Sequence, residues 1–165
     1  MKKLAVLAVF GLLTISTFAQ KLGHLNAQEI LSLMPEREKA TEDYQEYAKG
    51  LESQLMSMQT LYQSSIQDYQ DNESTYSDLV KQDKIAEIQG LEQRIATFQQ
   101  SAQESLQRKE MELLSPILEK LQNAIDKIAE DGKYTYIFDD SAGGTLLYTN
   151  DSEDISKLVK KKLGL

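Results

Sequence analysis

Few side chains in this sequence could make or break a bond. His24 is the single histidine, Asp139 and Asp140 stand together just before Gly143-Gly144, and Ser141 follows them. A lone imidazole could carry a proton or bind a metal, and two carboxylates beside a glycine turn could share a proton or hold a cation. Neighbouring strand residues point to opposite faces, however, so Asp139 and Asp140 do not converge, and turn chemistry accounts for both. His24 reads as a half-buried strand residue. Ser141 has no histidine partner at a recognisable spacing, and no glycine-rich phosphate loop precedes a helix. The chain has no cysteine, which removes disulfides, thiolate metal sites and cysteine nucleophiles together. Lys160-Lys161-Lys162 fits helix-end electrostatics better than a binding patch. No enzyme, no metal site and no cofactor is expected.

The chemistry that is left is non-covalent. Tyr47, Met56 and Leu61 lie off the main apolar stripe of a long helical stretch. Tyrosine offers a large contact area at modest entropy cost, and methionine adapts to irregular partners. These three are candidates for contact with a partner of irregular shape; the competing reading is that they only widen a seam between helices. Charge narrows the partner. With 18 Lys plus Arg against 26 Asp plus Glu the formal charge is −8, which disfavours nucleic acid and anionic membrane surfaces.

The elements that must position these side chains are mostly helical. Residues 36–131 contain one proline, Pro116, and two glycines, Gly50 and Gly90, among good helix formers. Tyr44, Ala48, Leu51, Leu55, Met58, Tyr62, Ile66 and Tyr69 recur at steps of three and four. That is the alternation of a coiled-coil seam. Ile85, Ile88, Leu91, Ile95, Phe98 and Ala102 form a second stripe, which strengthens through Leu114, Ile117, Leu121, Ile125 and Ile128. Between the stripes, residues 71–78 are polar and rich in groups that compete with helix, so they read as the tip of a helical hairpin. Each leg of about 45 residues would reach roughly 65 Å. Pro35 suits the first turn of the first leg, and Pro116 should kink the second.

At the amino end, Lys2 and Lys3 precede an apolar run closed by Thr17-Phe18-Ala19, the pattern of a secretory signal peptide at residues 1–19, cleaved after Ala19. Its loss would take the balance to −10, with 16 basic and 26 acidic residues. Residues 20–35 and 132–165 then form a small β body. Lys21–Leu25 reads as a strand, Asn26 and Glu29 as a capping pair for a helix to about Leu33, and Tyr134–Phe138 as a second strand. Residues 140–144 would turn the chain into a third strand over 145–149, and Asp154 would cap a last helix from Ile155 to Leu163. Leu22, Leu25, Tyr136, Phe138, Leu147, Ile155 and Val159 are the candidate core of this body or of its oligomer. A body this small, without disulfide or metal, is expected to gain stability by joining copies of itself.

The order of elements resembles the periplasmic chaperones of the Skp/OmpH type over the whole mature chain. The resemblance rests on Leu22-Gly23-His24-Leu25-Asn26 with Glu29-Ile30-Leu31, the Gln-rich helical arm, and Ser115-Pro116-Ile117. Tyr134–Asp139, Leu146-Leu147-Tyr148, Asp154-Ile155 and Leu158-Val159-Lys160 complete it. It implies an α+β, mostly α fold in which coiled-coil arms project from β bodies sharing a barrel-like core. It also implies a homotrimer that holds unfolded outer-membrane β-barrel proteins in a cavity between its arms, in the periplasm and without ATP. The rival is a structural coiled-coil spacer or scaffold of the envelope. Well-known members are basic, whereas residues 36–131 hold 20 acidic and 10 basic residues. An affinity for lipopolysaccharide therefore does not carry over. Asp140-Ser141-Ala142 also resembles an O-glycosylation signal of some Bacteroidetes.

Overall fold

The computed structural model describes residues 20–141, 146, 148–149 and 153–165. Strand β1 (Leu22–Leu25) is followed by helices α1 (Ala27–Leu33) and α2 (Pro35–Asn72), then a 3₁₀ turn over Glu73–Thr75. Helix α3 (Asp78–Gly132), strand β2 (Tyr136–Asp139) and helix α4 (Ser156–Leu163) complete the order. The fold is α+β and mostly α, with long helices and a small sheet. The chain divides into two units, one of Met1–Ile30 with Asn123–Leu165 and one of Leu31–Gln122.

In the first unit β1 and β2 pair in parallel, Leu22 beside Tyr136 and Leu25 beside Asp139. Parallel neighbours require a long crossover, which the intervening helices provide. The sheet is shorter than the apolar runs suggest: Lys21 and Tyr134-Thr135 lie outside the strands, although the Thr135 N–H still donates to the Lys21 carbonyl at 2.7 Å. Gly23 is there for closeness. A Cβ on it would meet the Tyr134 ring at 3.0 Å and Ile155 Cγ2 at 3.3 Å. Leu25, Ile30, Ile155 and Val159 are fully buried, whereas Leu22, Tyr136 and Phe138 are exposed on the sheet. Of the expected third strand, Leu146, Tyr148 and Thr149 are not in a strand, and its other residues, Leu147 among them, lie outside the described residues.

Helix ends in this unit follow local chemistry. Asn26 Oδ1 accepts the Glu29 N–H at 2.8 Å and so caps α1. Asp154 Oδ1 accepts the Ser156 N–H at 2.8 Å, so α4 starts one residue later than Ile155. The close of α3 is a Schellman turn: Tyr134 N–H reaches the Ala129 carbonyl at 3.0 Å and Lys133 N–H the Glu130 carbonyl at 3.2 Å. It places Lys133 at φ 55°, where glycine is the usual occupant.

The second unit is a helical hairpin. Pro35 sits in the first turn of α2, as its missing N–H favours. Pro116 lies inside α3, which continues through it. The legs run antiparallel: Glu36 pairs with Lys120, the Lys109 ammonium stands 6.0 Å from the Tyr47 ring centre, and Asp68 pairs with Lys84 at 3.0 Å. Each step toward the tip on one leg is matched on the other. The 3₁₀ turn over Glu73–Thr75 lies between the two legs, within the polar run 71–78. Among the described residues no helix is long and apolar enough to cross a membrane.

Candidate functional site

The residues with catalytic potential are spent on structure. His24 is 8% exposed, and its Nδ1 lies 2.6 Å from Asp140 Oδ2. It also pairs through its backbone with Asp154, and the Ile155 N–H donates to the His24 carbonyl at 2.9 Å. It is thus more enclosed than a half-buried strand residue, because the chain entering α4 covers it. Asp139 turns the other way, accepting the Ala27 N–H at 3.1 Å and the Ser141 hydroxyl at 2.6 Å. Ser141 Oγ in turn accepts the Gln28 N–H at 3.2 Å. Burial pushes the Asp139 carboxyl up, but the hydroxyl and N–H of Ser141 and the N–H of Ala27 outweigh it, leaving the group below its ordinary value. Asp154 behaves alike: burial raises it, and the hydrogen bonds of Ser156, helped by His24 and Lys160, bring it lower. Among the described residues no set of three or more His, Cys, Asp or Glu is placed to hold a metal.

The hairpin is different. Tyr44, Leu51, Leu55, Met58, Tyr62, Ile66 and Tyr69 on α2, with Ile88, Ile95 and Phe98 on α3, the expected seam residues, are only half-buried. Ala40, Leu91, Ile117 and Leu121 are the apolar side chains that do become buried between residues 35 and 122. Where Arg37, Ala40 and Tyr44 face Leu113 and Leu114 a cavity of about 120 Å³ is left. The tip is tied by polar groups. Asp68 accepts from Lys84 and, at 3.1 Å, from the Tyr76 hydroxyl, and the Tyr69 and Tyr76 rings lie 6.5 Å apart. Lys84 above all, with Tyr76, holds the Asp68 carboxyl below its usual range, and Asp68 holds the Lys84 ammonium above its own.

Tyr47, Met56 and Leu61 are exposed, at 37%, 61% and 50%. They do not form one patch. At 100° per residue Tyr47 and Leu61, fourteen apart, share a flank to within about 40°, while Met56 lies on the far side of α2. The sequence reading missed Leu79 and Met111 on α3, exposed at 70% and 62%. The signal was present, since both fall outside the three-four stripe of the second leg, the criterion that picked out the first three. Ile85, placed on that stripe, is exposed as well.

A family model described as outer membrane protein (OmpH-like) matches residues 21–163. The chain belongs to the OmpH-like family. Among its relatives, the chaperone protein Skp of Photorhabdus laumondii is 30% identical over 99% of this chain and 99% of its own. The Skp of Yersinia enterocolitica is 27% identical with the same coverage of both chains. A crystal structure of an OmpH-like outer membrane chaperone from Caulobacter crescentus superposes with a TM-score of 0.76 over 88% of this chain and 84% of that one, at 13% identity. At that identity the likeness speaks for the OmpH-like fold alone.

Proposed function

We propose that this chain is an ATP-independent periplasmic holdase. Three copies join through their sheet-bearing ends, and the hairpins hold unfolded outer-membrane β-barrel proteins in the cavity between them. The observation that carries the reading is the hairpin surface. Its seam is half-buried along most of its length, while Tyr47, Leu61, Leu79, Met56 and Met111 face solvent. A helix pair built only as a spacer would bury a dense seam and present charge outward. Full-length similarity to relatives named chaperones supports the same conclusion, and the apolar leader ending at Ala19 supports export to the periplasm. Self-association is supported by Leu22, Tyr136 and Phe138, apolar and exposed on a two-stranded sheet too small to stand alone. Unfolded chains offer many apolar segments of no fixed shape, and adaptable Tyr, Met and Leu surfaces match that demand without any bond-making step.

The test is dilution of a urea-unfolded β-barrel membrane protein into buffer with a threefold molar excess of the mature chain. Light scattering should fall sharply relative to buffer alone; unchanged aggregation rejects the holdase. Replacing Tyr47, Met56 and Leu61 together with Ser should weaken holding and leave the oligomer intact. Loss of the oligomer instead would assign the three to the seam.

A further inference from the structure

The hairpin contains two glycines, Gly50 in α2 and Gly90 in α3, each deep inside a long helix. Glycine there lowers helix stability relative to alanine, and it is usually tolerated because a neighbour needs the room. Neither position has such a neighbour: a Cβ at Gly50 or Gly90 would meet nothing within 4 Å. What each glycine borders instead is open space. Gly50 lines a groove of about 430 Å³ with Asp43, Glu46, Tyr47, Leu51 and, from the other leg, Lys109. Gly90 lines one of about 470 Å³ with Met58, Phe98, Arg94 and several uncharged polar side chains. Both volumes can admit a large side chain.

The grooves differ in sign. Asp43 and Glu46 have no hydrogen-bond or ion-pair partner among the described residues, while Lys109 is already engaged by Glu112 at 3.2 Å. The Gly50 groove therefore carries a net negative charge beside an aromatic ring, two carboxylates against one ammonium that Glu112 also holds. The Gly90 groove has no carboxylate in its lining, and Arg94 has no ion-pair partner among the described residues. Tyr47, Gln54 and Met58 fall within about 40° of one another around α2, so the grooves follow each other along one flank. Their centres, about nine residues apart on the helix, are about 14 Å apart. An extended polypeptide covers that distance in about four residues.

Building on the holdase reading, we infer that the hairpin sorts unfolded polypeptide by charge. The Gly50 groove takes an apolar side chain flanked by Lys or Arg, and the Gly90 groove takes one flanked by Asp or Glu. Apolar burial supplies the grip and the rim charges choose the segment. An outer-membrane chain with mixed charge could then lie along one flank with side chains set in both grooves.

The experiment uses the assembled mature protein and two fluorescein-labelled peptides, both Leu- and Tyr-containing, one with Lys flanks and one with Glu flanks. Binding is followed by fluorescence anisotropy. Gly50→Leu should fill its groove and weaken the Lys-flanked peptide by about tenfold, the effect of denying one apolar side chain its burial, leaving the Glu-flanked peptide unchanged. Gly90→Leu should do the reverse. Asp43→Asn with Glu46→Gln should weaken the Lys-flanked peptide by about two- to fivefold and flatten its salt dependence. Circular dichroism should show both leucine variants at least as helical as the parent, which separates a filled groove from a damaged arm; the surface pair of amide variants gives a second reading without touching the backbone. Equal losses for both peptides, or none, overturn the inference. Aggregation of the unfolded β-barrel protein is measured in parallel on the unaltered chain. Failure there sinks the holdase reading, whereas intact holding with charge-blind variants sinks only the sorting.

Discussion

The sheet-bearing unit and the hairpin use their side chains in opposite ways. In the first, Leu25, Ile30, Ile155 and Val159 are fully buried, and His24, Asp139 and Asp154 are each engaged in an ion pair or a helix-start hydrogen bond. In the second, the stripe that should weld two helices together stays half wet, while Asp43, Glu46 and Arg94 have no partner among the described residues. The sheet-bearing unit thus engages these groups in its own structure, while the hairpin leaves charged and apolar side chains open to solvent. A protein acting through adaptable contact needs that division, since a surface that must fit many partners cannot also be closely packed against itself.

The contrast is broken most directly by truncation. Ile155→Ala in the buried unit should cost about 2–5 kcal/mol, the range for emptying a closed core position. Leu55→Ala in the half-buried seam should cost about 1–2 kcal/mol, because less area returns to water and solvent already fills the gap. Urea denaturation followed by circular dichroism compares them; equal costs would mean the hairpin is as tightly packed as the core. Asp139→Ala comes next, at about 1–2 kcal/mol, because the N–H of Ala27 loses its acceptor at the start of α1. The Asp139 and Asp154 carboxyls lie below their ordinary values in the folded protein. Their contribution is therefore complete above the ordinary carboxylate range near pH 4 and is lost as pH falls through the lowered folded values. Asp139→Asn should shrink that acid-side loss in a pH series of denaturation midpoints.

Much of this was legible in the sequence. The three-four stripes marked both legs, the polar run 71–78 marked the tip, and Asn26, Pro35 and Asp154 marked helix starts, because each signal is local and periodic. What was not legible depends on distant neighbours. Nothing near Tyr134 in the sequence says that Lys21 and Gly23 will lie beside it, so strand ends and the parallel pairing could not be read. The burial of His24 follows from residues more than a hundred positions away, Asp140 and Asp154. The grooves were hidden for another reason: Gly50 and Gly90 counted as weak points in a helix, and only the facing leg reveals the space beside them.

A smaller effect sharpens the comparison within the buried unit. Lys133 holds φ 55° to close the Schellman turn after α3. A side chain in that region is strained by about 1–2 kcal/mol, of which glycine recovers part and loses part to its freer unfolded chain. Lys133→Gly should therefore stabilise by about 0.5–1 kcal/mol. A loss instead would show that the lysine side chain contributes a contact that outweighs its backbone.

The smallest effect is expected at the hairpin tip, where Asp68 accepts from Lys84 and Tyr76. The folded carboxyl is lowered and the folded ammonium raised, so the pair contributes between the two ordinary values, fading below the first as Asp68 protonates and at strongly alkaline pH as Lys84 loses its proton. Exposed ion pairs are weakened by salt, whereas apolar burial is not screened. Asp68→Asn should consequently shift the thermal midpoint slightly at low ionic strength and not measurably at 0.5 M NaCl, while Ile155→Ala, at a fully buried position, keeps its effect in both. If salt erases neither difference, the tip is as closed to water as the core around Ile155, and the proposed division between a sealed core and an open hairpin fails where the two legs meet.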